Sequence, residues 1–160
     1  KGIIMKLDLV LASDHRGLEL KEKIAKWLVP IDDTEVRSNI TMFFDAGTYT
    51  PSSVDYPDIV KTFASEMETF NRGILFCGSG HGVCISANRY KHIRAVTVRS
   101  KDDAKMARLH NDANVLCIGS DFTTSKKAIE IIKTFLDTEF EGGRHKRRVN
   151  KMAKLGSNNV

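Results

Sequence analysis

The segment that decides the fold is Gly73-Ile74-Leu75-Phe76-Cys77-Gly78-Ser79-Gly80-His81-Gly82. Its first five residues form a short, continuously apolar run, which is typical of a buried parallel strand. Three alternating glycines follow, and the pattern from Val83 to Arg89 is typical of a helix. Strand, glycine-rich turn and helix in this order predict one unit of an α/β sheet, with the turn at the carboxyl end of the strand.

Apolar runs and helical patterns alternate on both sides of this segment. Further strands are expected at Leu7–Ala12, Met42–Asp45, Ile93–Val98 and Val115–Ile118. Buried helix faces are expected at Leu20, Ile24, Trp27 and Leu28, at Ile59, Phe63, Met67 and Phe70 after an early helical Pro57, along Lys101–Leu109, and at Ala128, Ile131, Ile132, Phe135 and Leu136. This alternation predicts a three-layer αβα sandwich, Rossmann-like, with a five-stranded parallel sheet covered on both faces.

Length and composition fit one soluble domain spanning residues 1–160. The chain is 41% hydrophobic and 28% charged, as in ordinary globular proteins. We expect flexible ends at about residues 1–6 and 156–160 and a surface loop over Val29–Thr41. No apolar run reaches the roughly 18–20 residues of a membrane span, and the first residues lack a signal-peptide cleavage site. Three cysteines without a zinc-binding spacing favour free thiols in a reducing compartment, so we predict a cytoplasmic protein.

The loops at the carboxyl ends of the predicted strands carry the polar residues, and ligands bind there in open parallel sheets. The turn from Gly78 to Gly82 allows backbone N–H groups to surround an anion at the start of a helix. It has neither the GxGxxG spacing of dinucleotide sites nor a Walker lysine, which argues against a nucleotide pyrophosphate. A purely structural turn is the alternative.

Cys77 ends the strand before this turn and is the candidate base. A thiolate near a helix N-terminus could remove a proton from a carbon beside a carbonyl, and N–H groups would stabilise the resulting enediolate. The alternative is a buried cysteine that acts as a small hydrophobe, the role we assign to Cys84 and Cys117. His110 could exchange protons near neutral pH, and His15 is a second candidate for substrate contact.

The net charge of +5 comes largely from the basic tail. Arg144 and Arg148 are four residues apart, so on a helix they share a face and could hold a phosphate. A solvated helix face and a nucleic-acid-binding tail are the alternatives. Residues 142–160 contain no Phe, Trp or Tyr for base stacking, which makes nucleic acid the weakest of the three.

Several segments in order carry a resemblance that covers residues 7–152. They are Ser13–Gly17, Gly47–Tyr49, Val54–Asp58, Cys77–Gly82, Ala87–Arg89, Ile93–Ala95, His110–Leu116 and Phe140–Val149. The chain resembles the type B ribose-5-phosphate isomerases, a family that also includes galactose-6-phosphate and allose-6-phosphate isomerases. The resemblance implies ribose 5-phosphate–ribulose 5-phosphate isomerisation in the pentose phosphate pathway, without cofactor or metal, in a homodimer or homotetramer with the site at the subunit interface.

The resemblance also implies a role for each matching residue. Cys77 matches the thiol that moves the proton between C1 and C2; some relatives use a glutamate later in the loop, where this chain has Val83. Ser79 matches a hydroxyl that assists, and His110 matches the acid that opens the sugar ring. The implied substrate-binding residues are Asp14, His15, Tyr56, Gly78, Gly80, His81, Gly82, Asn111, Arg144 and Arg148.

Three departures from the family pattern affect sugar preference or affinity. Asp121 stands where many relatives carry a phosphate-binding arginine, His81 replaces a small, apolar or amide residue, and Val29–Thr41 is longer than usual. They leave open the same chemistry on a six-carbon or tetrose phosphate. A non-catalytic sugar-phosphate-binding protein is a further alternative, which the presence of both Cys77 and His110 disfavours.

Overall fold

The computed structural model describes residues 6–29 and 39–156 and contains the predicted αβα sandwich. Five parallel strands form one sheet in the order β2-β1-β3-β5-β4. The elements are β1 Leu7–Ser13, α1 Leu18–Leu28, β2 Ile40–Asp45, α2 Tyr56–Glu66, β3 Arg72–Cys77, α3 His81–Ala87, β4 Ala95–Thr97, α4 Lys101–Asn111, β5 Val115–Gly119, a 3₁₀ turn Ser120–Phe122, α5 Ser125–Asp137 and α6 Gly143–Met152.

Helices cover both faces of the sheet. On one face, α1, α4 and α5 pack on inward residues such as Leu9, Leu11 and Phe76. On the other face, α2 and α3 pack on Val10 and Leu75. Successive residues of a strand point to opposite faces, so a strand buried on both faces must be apolar along its whole length. All six residues of β3 are buried, including the apolar run from Gly73 to Cys77.

Most element boundaries agree with the sequence, and the differences are local. Helix α2 has Pro57 in its first turn, as expected, but it ends at Glu66, so Phe70 is buried from the turn that follows. Helix α3 begins at His81, two residues earlier than expected. Strand β4 has three residues because only 95–97 pair with β5 at the edge of the sheet.

Some expectations fall outside the described residues. Residues 30–38, most of the expected loop, are not among them, nor are residues 1–5 and 157–160 of the expected flexible ends. The last two residues of that expected loop, 40 and 41, belong to β2 instead. Across 6–29 and 39–156, no helix is long and apolar enough to cross a bilayer.

The sheet has a topological switch point between β1 and β3. These strands are neighbours, but α1 leaves β1 towards one face of the sheet and α3 leaves β3 towards the other. The loops that follow the two strands therefore diverge and open a crevice at the carboxyl edge. The loop after Cys77 lines this crevice.

Candidate active site

The Cys77 thiol lies inside the glycine-rich loop. Its side chain is almost fully buried, and Sγ accepts a hydrogen bond of 3.0 Å from the backbone N–H of Gly80. Gly80 has a φ of +82°, which a side chain would disfavour, and its carbonyl accepts a hydrogen bond of 2.8 Å from Thr97. The loop thus curls around the sulfur and directs a backbone N–H donor at it.

Two side chains close over the same loop. The Tyr56 ring packs against Gly82 so closely that a Cβ added there would lie 2.7 Å from Tyr56 Cζ. The Arg16 guanidinium packs against Gly78 in the same way, with Cζ 2.5 Å from an added Cβ. Ser79 Oγ accepts a hydrogen bond of 3.2 Å from the exposed His81, at its backbone N–H. The structure therefore brings together four sets of residues that the sequence analysis named as candidates, namely Cys77, Ser79, Tyr56 and the loop glycines.

Asp14 and His15 lie on the other wall of the crevice. Asp14 is buried, and its Oδ1 accepts hydrogen bonds of 3.0 Å from the backbone N–H groups of Arg16 and Gly17. The carboxylate therefore shapes the turn between β1 and α1. His15 Nδ1 accepts a hydrogen bond of 3.2 Å from the N–H of Val54. This bond leaves Nε2 as the protonated nitrogen when the ring is neutral.

Arg16 is a residue that sequence reasoning missed. Its guanidinium forms an ion pair with Asp121, and both side chains are about half exposed. Ser120 ties the same loops together, because its hydroxyl contacts the carbonyl oxygens of Arg16 at 3.0 Å and Cys77 at 3.1 Å. Asp121 thus holds the Arg16 guanidinium beside the glycine-rich loop that runs from Gly78 to Gly82. Two features of the sequence could have indicated this role for Arg16. Position 121 lacks the arginine that many relatives carry, and Arg16 is a basic residue within the family segment Ser13–Gly17.

A second group of candidate residues lies at the end of α4 and on α6. His110 is near the end of α4, next to an exposed Asn111, and Arg144 and Arg148 are exposed on α6. The His110 ring stacks on His145, with ring centroids 4.3 Å apart and planes 13° apart. Burial, and then the neighbouring His110, lower the pKa of His145. Sequence reasoning missed His145, although it lies inside a family segment.

Within one chain, the two groups lie at opposite edges of the sheet. Helix α4 starts at the carboxyl edge and runs back for eleven residues, about 16 Å at 1.5 Å per residue. At its end, Asp112 forms an ion pair of 3.1 Å with Arg94, which precedes β4. His110 is therefore at the amino edge. Within one chain, the length of α4 therefore separates the Cys77 thiol from His110 and the two arginines.

The other two thiols differ from each other. Cys117 is fully buried in β5, and burial raises its pKa, in agreement with the structural role assigned from sequence. Cys84 is half-buried, and hydrogen bonding, first with Cys117 and then with Thr97, lowers its pKa to about 6. Because the pKa of Cys84 is lowered, experiments on Cys77 need Cys84 as a control.

Comparison with known proteins gives consistent matches over nearly the whole chain. Residues 9–152 match the family model described as Ribose/Galactose Isomerase. A probable ribose-5-phosphate isomerase B of Mycoplasma genitalium is 38% identical over 154 residues, 94% of this chain and 96% of the relative. A putative sugar phosphate isomerase of Rickettsia bellii is 40% identical over 147 residues, 91% and 96% of the two chains.

Solved structures agree with these sequence matches. A ribose 5-phosphate isomerase from Thermotoga maritima superposes with a TM-score of 0.84 at 40% identity, covering 93% of this chain and 99% of that one. The Mycoplasma genitalium ribose-5-phosphate isomerase B with bound ribulose-5-phosphate superposes with a TM-score of 0.84 at 36% identity, covering 97% and 99%.

Proposed function

This chain belongs to the ribose/galactose isomerase family, and from that premise we propose that it interconverts ribose 5-phosphate and ribulose 5-phosphate. The chain is an aldose–ketose isomerase of the ribose-5-phosphate isomerase B type. The relatives are named for the five-carbon sugar or for sugar phosphates in general, so the six-carbon, tetrose and non-catalytic alternatives are not favoured. Three free cysteines support a reducing, cytoplasmic setting.

The observation that carries the mechanism is the N–H of Gly80 directed at the Cys77 sulfur. In the proposed reaction, the Cys77 thiolate removes the proton from C2 of the open-chain aldose, and the C2–H electron pair forms the C1–C2 double bond of an enediolate. The same sulfur returns the proton to C1, while the C2 hydroxyl becomes the carbonyl and O1 gains a proton. Backbone N–H groups from Gly78 to Gly82 and the Ser79 hydroxyl stabilise the oxyanion between these steps.

The remaining roles belong to the group at the amino edge. His110 opens the sugar ring, Asn111 contacts the substrate, and Arg144 and Arg148 bind the phosphate. Because Cys77 and His110 are at opposite edges of the sheet within one chain, the complete site combines the crevice of one copy with the α4–α6 edge of a second. A two-fold dimer then has two such sites, and a tetramer built from two dimers has four. This separation supports an interface site.

A turnover assay tests the proposal. Conversion of ribose 5-phosphate to ribulose 5-phosphate is followed directly in the ultraviolet with EDTA present, for the unchanged chain, Cys77→Ala and Cys84→Ala. Loss of a general base is expected to lower kcat by roughly 10²–10⁴-fold in Cys77→Ala. Cys84→Ala, the matched control, should retain its activity. Near-normal turnover in Cys77→Ala would contradict the proposed role of the thiol. Absence of turnover in the unchanged chain would contradict the proposal that ribose 5-phosphate is the substrate.

A further inference from the structure

The Arg16 side chain lies across the carboxyl end of β3, beside the candidate base. Its guanidinium packs against Gly78, the residue that follows Cys77, so closely that an added Cβ would lie 2.6 Å from Nη1. The side chain is nevertheless 56% exposed. A permanent positive charge is therefore accessible at the crevice, next to the residue that follows the thiol, and the proposed mechanism gives it no role.

Contacts at the backbone and at the guanidinium hold Arg16 in this place. Its backbone N–H donates to Asp14 Oδ1 at 3.0 Å, and its carbonyl accepts a hydrogen bond of 3.0 Å from Ser120 Oγ. At the far end, Nη2 pairs with Asp121, whose own backbone N–H donates to the Gly78 carbonyl at 3.0 Å. The guanidinium is therefore ordered before a ligand arrives, which lowers the entropic cost of binding one.

The guanidinium keeps hydrogen-bond donors for a second partner. Of its three nitrogens, Asp121 accepts a hydrogen bond from Nη2 alone. Over residues 6–29 and 39–156, neither Nε nor Nη1 of Arg16 has a hydrogen-bond acceptor. A planar guanidinium binds the oxygens of phosphate or carboxylate groups through pairs of N–H donors. Arg16 can therefore hold Asp121 and a second anion at the same time.

The phosphate is the part of the substrate that suits this arginine. Under the proposed function, the phosphate is the ionised group of the sugar, and its terminal oxygens are strong acceptors. The enediolate oxygen already has donors in the N–H groups of the turn from Gly78 to Gly82. Arg144 and Arg148 approach the phosphate from the second copy, and one phosphate can accept hydrogen bonds from several arginines. Arg16 adds a positive charge from the copy that forms the crevice.

We propose that Arg16 binds the substrate phosphate as the arginine of the crevice-forming copy, and that Asp121 positions the Arg16 guanidinium while limiting its affinity for the anion. This contact presupposes the proposed function, since it needs a phosphorylated sugar in the crevice. Asp121 orients the guanidinium through their ion pair. The same carboxylate repels a phosphate that binds next to it, so the pair sets how tightly the phosphate is held.

Kinetics with ribose 5-phosphate, and with inorganic phosphate as a competing ligand, test the Arg16 contact. In Arg16→Met, the KM for the sugar phosphate and the inhibition constant of inorganic phosphate should both rise roughly tenfold, while kcat changes less than about twofold. Arg16→Lys keeps the charge but loses the planar fork, so it should restore part of the affinity. Lys23→Met is the matched control. It removes the same charge from another exposed ion pair, with Glu19, and should leave both constants unchanged.

Asp121→Asn tests the second part of the proposal. This variant removes the carboxylate charge and keeps the size of the side chain. At low ionic strength, it should lower the KM and the inhibition constant of inorganic phosphate by roughly two- to fivefold, because the repulsion of the phosphate is lost. A pair that only ties two loops together would not produce this change. Equal constants in Asp121→Asn and the unchanged chain would overturn the role assigned to Asp121.

Binding measurements on Cys77→Ala separate this contact from the thiol mechanism. Calorimetry with ribose 5-phosphate needs no turnover, and adding Arg16→Met to Cys77→Ala should weaken binding by the same factor of roughly ten. Equal affinity with and without Arg16 would overturn the contact, as would a loss of kcat at unchanged KM or an equal effect of Lys23→Met. An unchanged chain that neither binds nor converts ribose 5-phosphate would contradict the proposed function itself.

Urea unfolding of each variant ensures that affinities are compared between folded chains. The pair between Arg16 and Asp121 is half exposed, so Arg16→Met should keep the unfolding midpoint of the unchanged chain. If the midpoint falls, Arg16→Gln takes its place, because it keeps a planar polar group at this position without the charge. The same rise in KM and in the inhibition constant of inorganic phosphate is expected there, and its absence would overturn the proposal.

Discussion

The buried ammonium of Lys21 gives the most quantitative test of how the crevice is held together. Its side chain is 1% exposed, and Nζ donates to Asp45 Oδ1 at 2.5 Å and to the Thr48 carbonyl at 2.7 Å. These bonds tie α1 to the segment after β2. That segment in turn pairs with the end of β1, because Thr48 donates its N–H to the Ser13 carbonyl at 2.8 Å.

Replacing Lys21 by Met should cost about 2–3 kcal/mol of unfolding free energy. Breaking a fully buried ion pair costs roughly 3–5 kcal/mol, but Asp45 is 27% exposed and keeps a 2.9 Å bond from the Gly47 N–H. The stranded carboxylate is therefore partly solvated, which reduces the loss. At roughly 2–4 °C per kcal/mol for a chain of this size, the melting temperature should fall by about 4–12 °C.

Urea unfolding of Lys21→Met and a matched control measures this cost. The control is Lys23→Met, two residues away on α1, where the 2.8 Å pair with Glu19 is exposed to solvent and contributes little to stability. The difference between the variants isolates the buried pair from the general effect of removing a lysine from α1. A loss below about 1 kcal/mol in Lys21→Met would refute the reasoning, because a partly buried carboxylate that loses its ammonium partner should cost more than that.

Three further predictions concern charges elsewhere in the chain. Asp121→Ala removes the ion-pair partner of Arg16, so the Arg16 guanidinium can attract the phosphate of the substrate. The KM for the sugar phosphate should therefore fall at low ionic strength and return towards that of the unchanged chain in high salt. A KM that does not change with salt would contradict this. The same variant should unfold within about 1 kcal/mol of the unchanged chain, because the pair is half exposed. Arg108→Met should lose roughly 2–3 kcal/mol of unfolding free energy in denaturant titration, because the buried Arg108 side chain donates to Asp112 at 2.9 Å and to the Ala113 carbonyl at 2.6 Å, while Asp112 is 30% exposed and keeps its ion pair with Arg94. A loss below about 1 kcal/mol would contradict this.

Local sequence order was enough to predict the sheet and the thiol loop. The run from Gly73 to Gly82 changes from continuous apolarity to alternating glycines, and both features depend on neighbours in sequence. From sequence, a helix at the basic tail was only the condition under which Arg144 and Arg148 share a face, and the structure has that helix over Gly143–Met152. Strand β4 was overestimated since its length depends on how many residues find a partner in β5, which is a tertiary property.

The missed features all join residues that are distant in sequence. Arg16 and Asp121 are 105 residues apart, and no periodicity links them. The stacking of His110 on His145 depends on how α6 packs against the end of α4. The resemblance supplied the members of the site, but their distribution over two edges of the sheet came from the direction in which α4 runs.

The placement of Cys77 and His110 at opposite edges has a genetic consequence under the proposed shared site. A subunit that lacks the Cys77 thiol still supplies an intact α4–α6 edge with His110. A subunit that lacks His110 still supplies an intact crevice with Cys77. When two such inactive copies are unfolded and refolded together, half of the dimers are mixed, and each mixed dimer has one intact site of two. The mixture should recover about one quarter of normal activity, so two inactivating alleles can complement each other in one cell.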